Sequence, residues 1–179
     1  MAGGCGGRAI SKKSARSAII GSPAAVLEKN DVEVLSITSA GADEAIAETR
    51  LNAAFRLVRK DGDWVVREIR LGKGQWERID DVVRAVEQIK MEQTRELLAK
   101  VAAAIDAYRQ KSGRLPDFKD YVSLTDSLHP QFMTPLIRED AWAHPLAAVR
   151  QSPSTILLIS AGPDGKPGTP DDITLTRTY

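Results

Sequence analysis

The sequence predicts an α+β fold, on three observations. Between residues 32 and 71, β-branched and aromatic residues fall in three runs with period-two alternation. Residues 80–111 then carry apolar side chains at helical spacing. Beyond Pro116, short β-like runs return between Pro- and Gly-rich turns, and the last of them follows a loop dense in Gly, Pro and Asp. The expected architecture is an N-terminal three-stranded antiparallel meander, a long central helix, and a small antiparallel sheet with a C-terminal calcium loop. The expected organisation is a flexible N-terminus over 1–13, a helical segment plus meander over 14–78, and the helix with its C-terminal domain over 79–179.

Residues 14–29 contain Ala15, Ile19, Ile20, Ala24, Val26 and Leu27, interrupted by Gly21-Ser22-Pro23. They read either as one helix or as two short turns. The first strand spans residues 32–38. The second runs from 45 to 59, with Ala47, Thr49, Leu51, Ala53, Phe55 and Leu57 on one face and Glu48, Arg50, Asn52 and Arg56 on the other. The third spans 63–71 and carries Trp64, Val65, Val66, Ile69 and Leu71. Between the last two, Asp61-Gly62 favours a type I′ turn, which needs positive φ at both central residues. Such a meander needs a partner element over one face, and the following helix is the expected cover. Its stripe of Val82, Val83, Val86 and Ile89 fades between Lys90 and Glu96, then resumes with Leu97, Leu98, Val101, Ile105 and Tyr108. Lys111, Gly113 and Pro116 mark its end. Phe118, Tyr121, Val122 and Leu124 suggest a short helix. Residues 146–150 and 155–160 suggest a hairpin turning at Ser152-Pro153-Ser154, and 173–177 a last strand.

Charge and composition narrow the function classes. The 179 residues include 25 Lys plus Arg and 24 Asp plus Glu, a formal charge of +1. This balance lacks the clustered basic footprint of a nucleic-acid binder, and three each of Phe, Trp and Tyr are few for a base-stacking surface. The single cysteine, Cys5, excludes an internal disulfide, and with His129 and His144 as the only histidines no zinc pattern forms. Neither histidine lies in a nucleophile–base pattern, and no G-x-S-x-G, phosphate loop or dinucleotide fingerprint occurs. The expectation is a protein that is not an enzyme. His129 and His144 read as structural or exposed. Trp142, next to Pro145, reads as a core plug at the hairpin entry.

One stretch points to a ligand. Residues 160–173 hold three Gly, three Pro and three Asp directly after the apolar run Ile156-Leu157-Leu158-Ile159. Asp164, Asp171 and Asp172 are candidate ligands, because carboxylates in a tight loop with exposed carbonyls suit a hard cation such as Ca²⁺. The same residues also suit a solvated turn in which Asp and Gly serve backbone geometry alone.

Three segments in order resemble the C-terminal domain of the major pseudopilin of type II secretion. Ala107-Tyr108-Arg109-Gln110-Lys111-Ser112-Gly113-Arg114-Leu115-Pro116 is similar to that family's "AY…NGRYP" segment. Pro135 through Asp140-Ala141-Trp142-Ala143-His144-Pro145-Leu146 resembles its "DPWGNPY" segment. Ser160-Ala161-Gly162-Pro163-Asp164-Gly165 through Asp171-Asp172-Ile173 resembles its "S-x-G-x-DG…DI" calcium loop. The resemblance covers about residues 92–175. It implies a long helix on a small antiparallel sheet and a loop closed by Ca²⁺, with Asp164 and Asp171 as side-chain ligands and Asp172 as a further candidate. It also implies export to the periplasm or cell envelope, and protein partners in a secretion-like assembly. The chain departs from the family in two ways. The apolar anchoring helix is replaced by the meander, and residues 86–105 carry Glu87, Lys90, Glu92, Arg95, Glu96 and Lys100, which a bilayer would not accept cheaply. Ala143 and His144 also stand where the family has Gly-Asn.

Small residues before Cys5, then a polar tether, resemble the end of a bacterial lipoprotein signal. A lipid on Cys5 would be the only route to a membrane. The other reading is a Gly-rich terminus or cloning remnant with no role. A stand-alone periplasmic module that binds a small ligand or peptide, unrelated to secretion, is the alternative to the secretion reading.

Overall fold

A computed structural model describes residues 10–22, 26–41 and 43–179 of the chain. Cys5 lies outside the described residues. The fold is mixed helix and sheet, with three α-helices and three antiparallel sheets among the described residues. The chain divides into two compact units, Met1–Val83 and Arg84–Tyr179.

The first unit opens with helix α1, Lys12–Ile20, capped by Ser11, whose Oγ accepts from the Ser14 N–H at 3.1 Å. The helix therefore ends before Gly21-Ser22, and its buried Ala15 packs with Leu27, Val32 and Val34. Five strands follow: β1 Val32–Ser39, β2 Ala45–Leu51, β3 Ala53–Lys60, β4 Asp63–Leu71 and β5 Glu77–Arg78. β1 pairs only with β2, while β3, β4 and β5 form a second sheet. This corrects the expected three-stranded meander. The run at 45–59 is two strands, because Asn52 leaves the first ladder for the second. Its N–H donates to the Asp31 carbonyl, and its own carbonyl accepts from the Gly72 N–H, both at 2.8 Å. The Asn52 side chain also donates to Asp31 Oδ1 at 3.2 Å, and the Glu28 N–H donates to Oδ2 at 2.8 Å. Asp31 is buried, so these donors satisfy a carboxylate that burial would otherwise penalise.

Gly72 closes this junction. Its φ is +52°, and a Cβ there would lie 2.6 Å from Asp31 Oδ2. Gly72→Ala is expected to destabilise the first unit by about 2–4 kcal/mol, from left-handed strain plus displacement of the buried carboxylate. Urea unfolding followed by tryptophan fluorescence measures this, and an unchanged midpoint would contradict it. The type I′ turn forms as expected, with φ +53° at Asp61 and +98° at Gly62.

Phe55 and Leu57 alternate onto one face of β3, opposite Ile69 and Val66 of β4. Phe55, Leu57, Trp64 and Val66 are exposed. On the opposite face, Trp76 stacks between the guanidinium groups of Arg56 and Arg70, at 4.6 and 4.9 Å from the ring centre.

Helix α2, Ile79–Ser112, contributes all but its first turn to the second unit. Its buried positions are Thr94, Leu98, Val101, Ala102, Ala104 and Ile105, so the packed stripe starts where the apolar pattern fades. Gly113, at φ +72°, ends the helix by donating to the Arg109 carbonyl at 2.9 Å. Helix α3, Tyr121–Leu128, starts at Asp120, which accepts from the Ser123 N–H at 2.7 Å. Three strands complete the unit: β6 Ala147–Ser152, β7 Thr155–Ser160 and β8 Ile173–Thr178, in the order β6-β7-β8. β7 buries every second residue, Ile156, Leu158 and Ser160. The first two join Leu98, Val101 and Ile105 of α2 and Leu124 and Leu128 of α3 in the core.

Candidate functional site

The β7 register sets up the candidate site. Ser160 takes the third inward position after Ile156 and Leu158, so its hydroxyl is buried and needs a partner. It donates to Asp140 Oδ2 at 2.6 Å. Asp140 Oδ1 accepts from the N–H groups of Trp142 and His144, both at 2.9 Å. One buried carboxylate therefore folds the 140–144 turn and anchors the end of β7. Above it, the Thr94 hydroxyl of α2 accepts from the Ala141 N–H at 3.2 Å. The Trp142 indole donates to Glu87 Oε2 at 2.8 Å, and its ring packs against the core.

From Ser160 the chain enters the C-terminal loop. The Gly162 N–H donates to Ser160 Oγ at 3.1 Å. The Gly162 carbonyl lies 2.9 Å from His144 Nδ1, so that nitrogen carries the proton, since a carbonyl only accepts. Gly162 sits at φ +62°, and a Cβ there would come within 2.3 Å of the Asp171 carbonyl. Gly165 lies against the His144 ring, 3.0 Å from where its Cβ would be. The two ends of the loop are thus pinned, one to the 140–144 turn and one to the other.

Within the loop the three predicted residues come together. The Thr169 hydroxyl lies 2.6 Å from Asp171 Oδ1, 3.4 Å from Asp172 Oδ1 and 3.5 Å from Asp164 Oδ1. It has one proton for three carboxylates. Their other bonds come from the backbone: Lys166 N–H to Asp164 at 2.8 Å, Gly168 N–H to Asp172 at 2.8 Å, and Asp164 N–H to Asp171 at 3.3 Å. The Thr169 hydroxyl bond holds the Asp171 carboxyl below the usual carboxylate range. Among the described residues, no group of three His, Cys, Asp or Glu side chains is set at metal-holding distances. The donor set nonetheless has the chemistry of a Ca²⁺ site: carboxylates, a hydroxyl and main-chain carbonyls, all hard oxygens.

Thr169, Asp140 and Ser160 belong to this site and were not among the predicted ligands. Ser160 falls on the inward register of β7, a signal the sequence carries; Thr169, beside Pro170, reads there as a turn residue. His129 caps the end of α3 through its N–H to the Thr125 carbonyl and takes no part in the loop. Ser160, His144 and Asp140 are neighbours, but the serine hydroxyl is fully buried and donates to the carboxylate, while the imidazole faces Gly162.

Ala143 has φ +64°, a left-handed conformation that favours glycine, at an exposed position. Ala143→Gly is expected to leave stability unchanged or raise it by up to about 1 kcal/mol, because relief of the strain offsets the greater freedom of the unfolded chain. Thermal melting checks this, and a drop of several degrees would contradict it. No family model matches the chain, and no curated protein or solved structure does either.

Proposed function

We propose that the second unit is a calcium-closed, pseudopilin-like domain of an exported protein. It acts without catalysis, as a structural or contact element among protein partners in a secretion-like or cell-envelope assembly. The observation that carries the reading is the convergence of Asp164, Asp171 and Asp172 on the single hydroxyl of Thr169. Three carboxylates facing one hydroxyl repel one another, and a cation would offset their charge. Asp164, Asp171 and Asp172, with loop carbonyls, would hold the ion, and the ion would lock the loop that joins β7 to β8. The resemblance over residues 92–175 supports the same placement. None of the described helices is long and apolar enough to cross a membrane.

Isothermal titration of the full chain with Ca²⁺ tests the reading. Binding of one ion in the micromolar range is expected, with affinity reduced at least tenfold in Asp164→Ala and in Asp171→Ala. No heat at millimolar Ca²⁺, or binding by either variant equal to that of the natural protein, would refute it.

The exposed apolar face of Phe55, Leu57, Trp64 and Val66 favours a second reading, a stand-alone binding module for a peptide or small ligand. Cell fractionation with pull-down separates the two. Co-purification with envelope machinery supports the first, and a free protein carrying a ligand on the first unit supports the second.

A further inference from the structure

We infer that α1 forms one wall of a binding site for a phosphate group. A cleft of about 580 Å³ is lined by Lys12, Lys13, Arg16 and Lys29, with Ser17, Ile20 and Gly21. Four of its lining residues are cationic, and none of the described lining residues is acidic. The Arg16 Nε–H is buried and has no hydrogen-bond partner among the described residues, although a buried donor without one is unfavourable. The nearby acids are engaged elsewhere. Glu28 pairs with Lys73 at 3.0 Å, and the buried Asp31 is held by Glu28 N–H and Asn52. Lys12 Nζ donates to the Leu35 carbonyl at 2.5 Å, which fixes that side chain at the cleft rim.

The charge distribution of the chain agrees. Residues 1–27 hold Arg8, Lys12, Lys13 and Arg16 and no Asp or Glu, in a protein whose formal charge is only +1. A cleft of like charges is stable when an anion occupies it, and a phosphate group offers several strong acceptor oxygens to guanidinium and ammonium donors at once. The cleft is roomy for inorganic phosphate alone and accommodates a phosphate carried on a larger molecule, such as an anionic lipid headgroup. Ile10 and Val26, two and three residues along the chain from Lys12 and Lys29, are exposed and apolar. The inference does not depend on calcium binding by the second unit.

The test uses the full chain with two probes. The first is inorganic phosphate, followed through the Arg16 Nε–H NMR signal. The second is sedimentation with phosphatidylcholine vesicles containing 30% phosphatidylglycerol, against pure phosphatidylcholine. The expected result is a saturable shift of the Arg16 signal, selective sedimentation with anionic vesicles, or both. Phosphate binding without vesicle binding assigns a soluble phosphate ligand, and vesicle binding assigns the headgroup. Affinity should fall roughly fivefold for each cation removed. Because Lys13 and Lys29 are exposed, Lys13→Gln/Lys29→Gln should fold normally and lose about 25-fold, while Arg16→Gln should lose sedimentation with anionic vesicles where the natural protein shows it. No binding of either probe, or equal binding by Lys13→Gln/Lys29→Gln and the natural protein, would overturn the inference.

Discussion

Asp140→Ala is expected to destabilise the second unit by about 3–5 kcal/mol, a large part of the total stability of a typical domain. The carboxylate is buried and accepts three hydrogen bonds, from Trp142 N–H, His144 N–H and the Ser160 hydroxyl. Its removal leaves three donors in the interior without an acceptor. Asp140→Asn keeps one oxygen for the two backbone donors, and its amide can donate to a rotated Ser160 hydroxyl, so it should lose no more than about 2 kcal/mol. Denaturant unfolding of both variants measures the difference. Equal losses would contradict this account, because Asp140→Asn keeps the side-chain volume and one acceptor oxygen that Asp140→Ala removes. Because the same residue anchors the loop through Ser160 and Gly162, Asp140→Ala should also weaken calcium binding.

The second large effect is expected on chelation. With a Kd on the order of 10⁻⁵ M and about 1 mM Ca²⁺, binding stabilises the folded state by roughly 2.7 kcal/mol. For a unit of this size that corresponds to a fall in melting temperature of roughly 10–20 °C when EDTA replaces Ca²⁺. Asp171→Ala should melt at the same temperature in both conditions. Identical curves for the natural protein with EDTA and with excess Ca²⁺ would contradict the calcium reading, whatever the variants do.

Some of this arrangement was legible in the sequence for simple physical reasons. The β6–β7 hairpin and the stop of α2 at Gly113 follow from β-branched runs and from a glycine able to take positive φ. The type I′ turn at Asp61-Gly62 follows in the same way. The break at Asn52 was hidden because β2 and β3 keep the same alternation through it; the pivot depends on Asp31 and Gly72, about twenty residues away on either side. The packed stripe of α2 was misplaced because Thr94 is buried for its hydroxyl bond to Ala141, and a polar residue carries no hydrophobic signal.

At the site, the three aspartates were visible as a cluster, and their meeting in space follows from the loop that Gly162 and Gly165 allow. Thr169 was not visible as its centre, since a lone threonine beside Pro170 reads as a turn residue. Asp140 looked like part of a motif; its burial and its three donors come from the tertiary fold. His144 likewise gains its place only from the carbonyl of Gly162 and the bare face of Gly165.

The central claim is that the loop between β7 and β8 closes around calcium. A crystal grown in several millimolar CaCl₂, with anomalous data collected at long wavelength, tests it most directly. The account predicts an anomalous peak about 2.3–2.6 Å from oxygens of Asp164 and Asp171, with loop carbonyls completing the shell. A well-ordered loop with no such peak, in which Thr169 alone bridges the carboxylates, would contradict it.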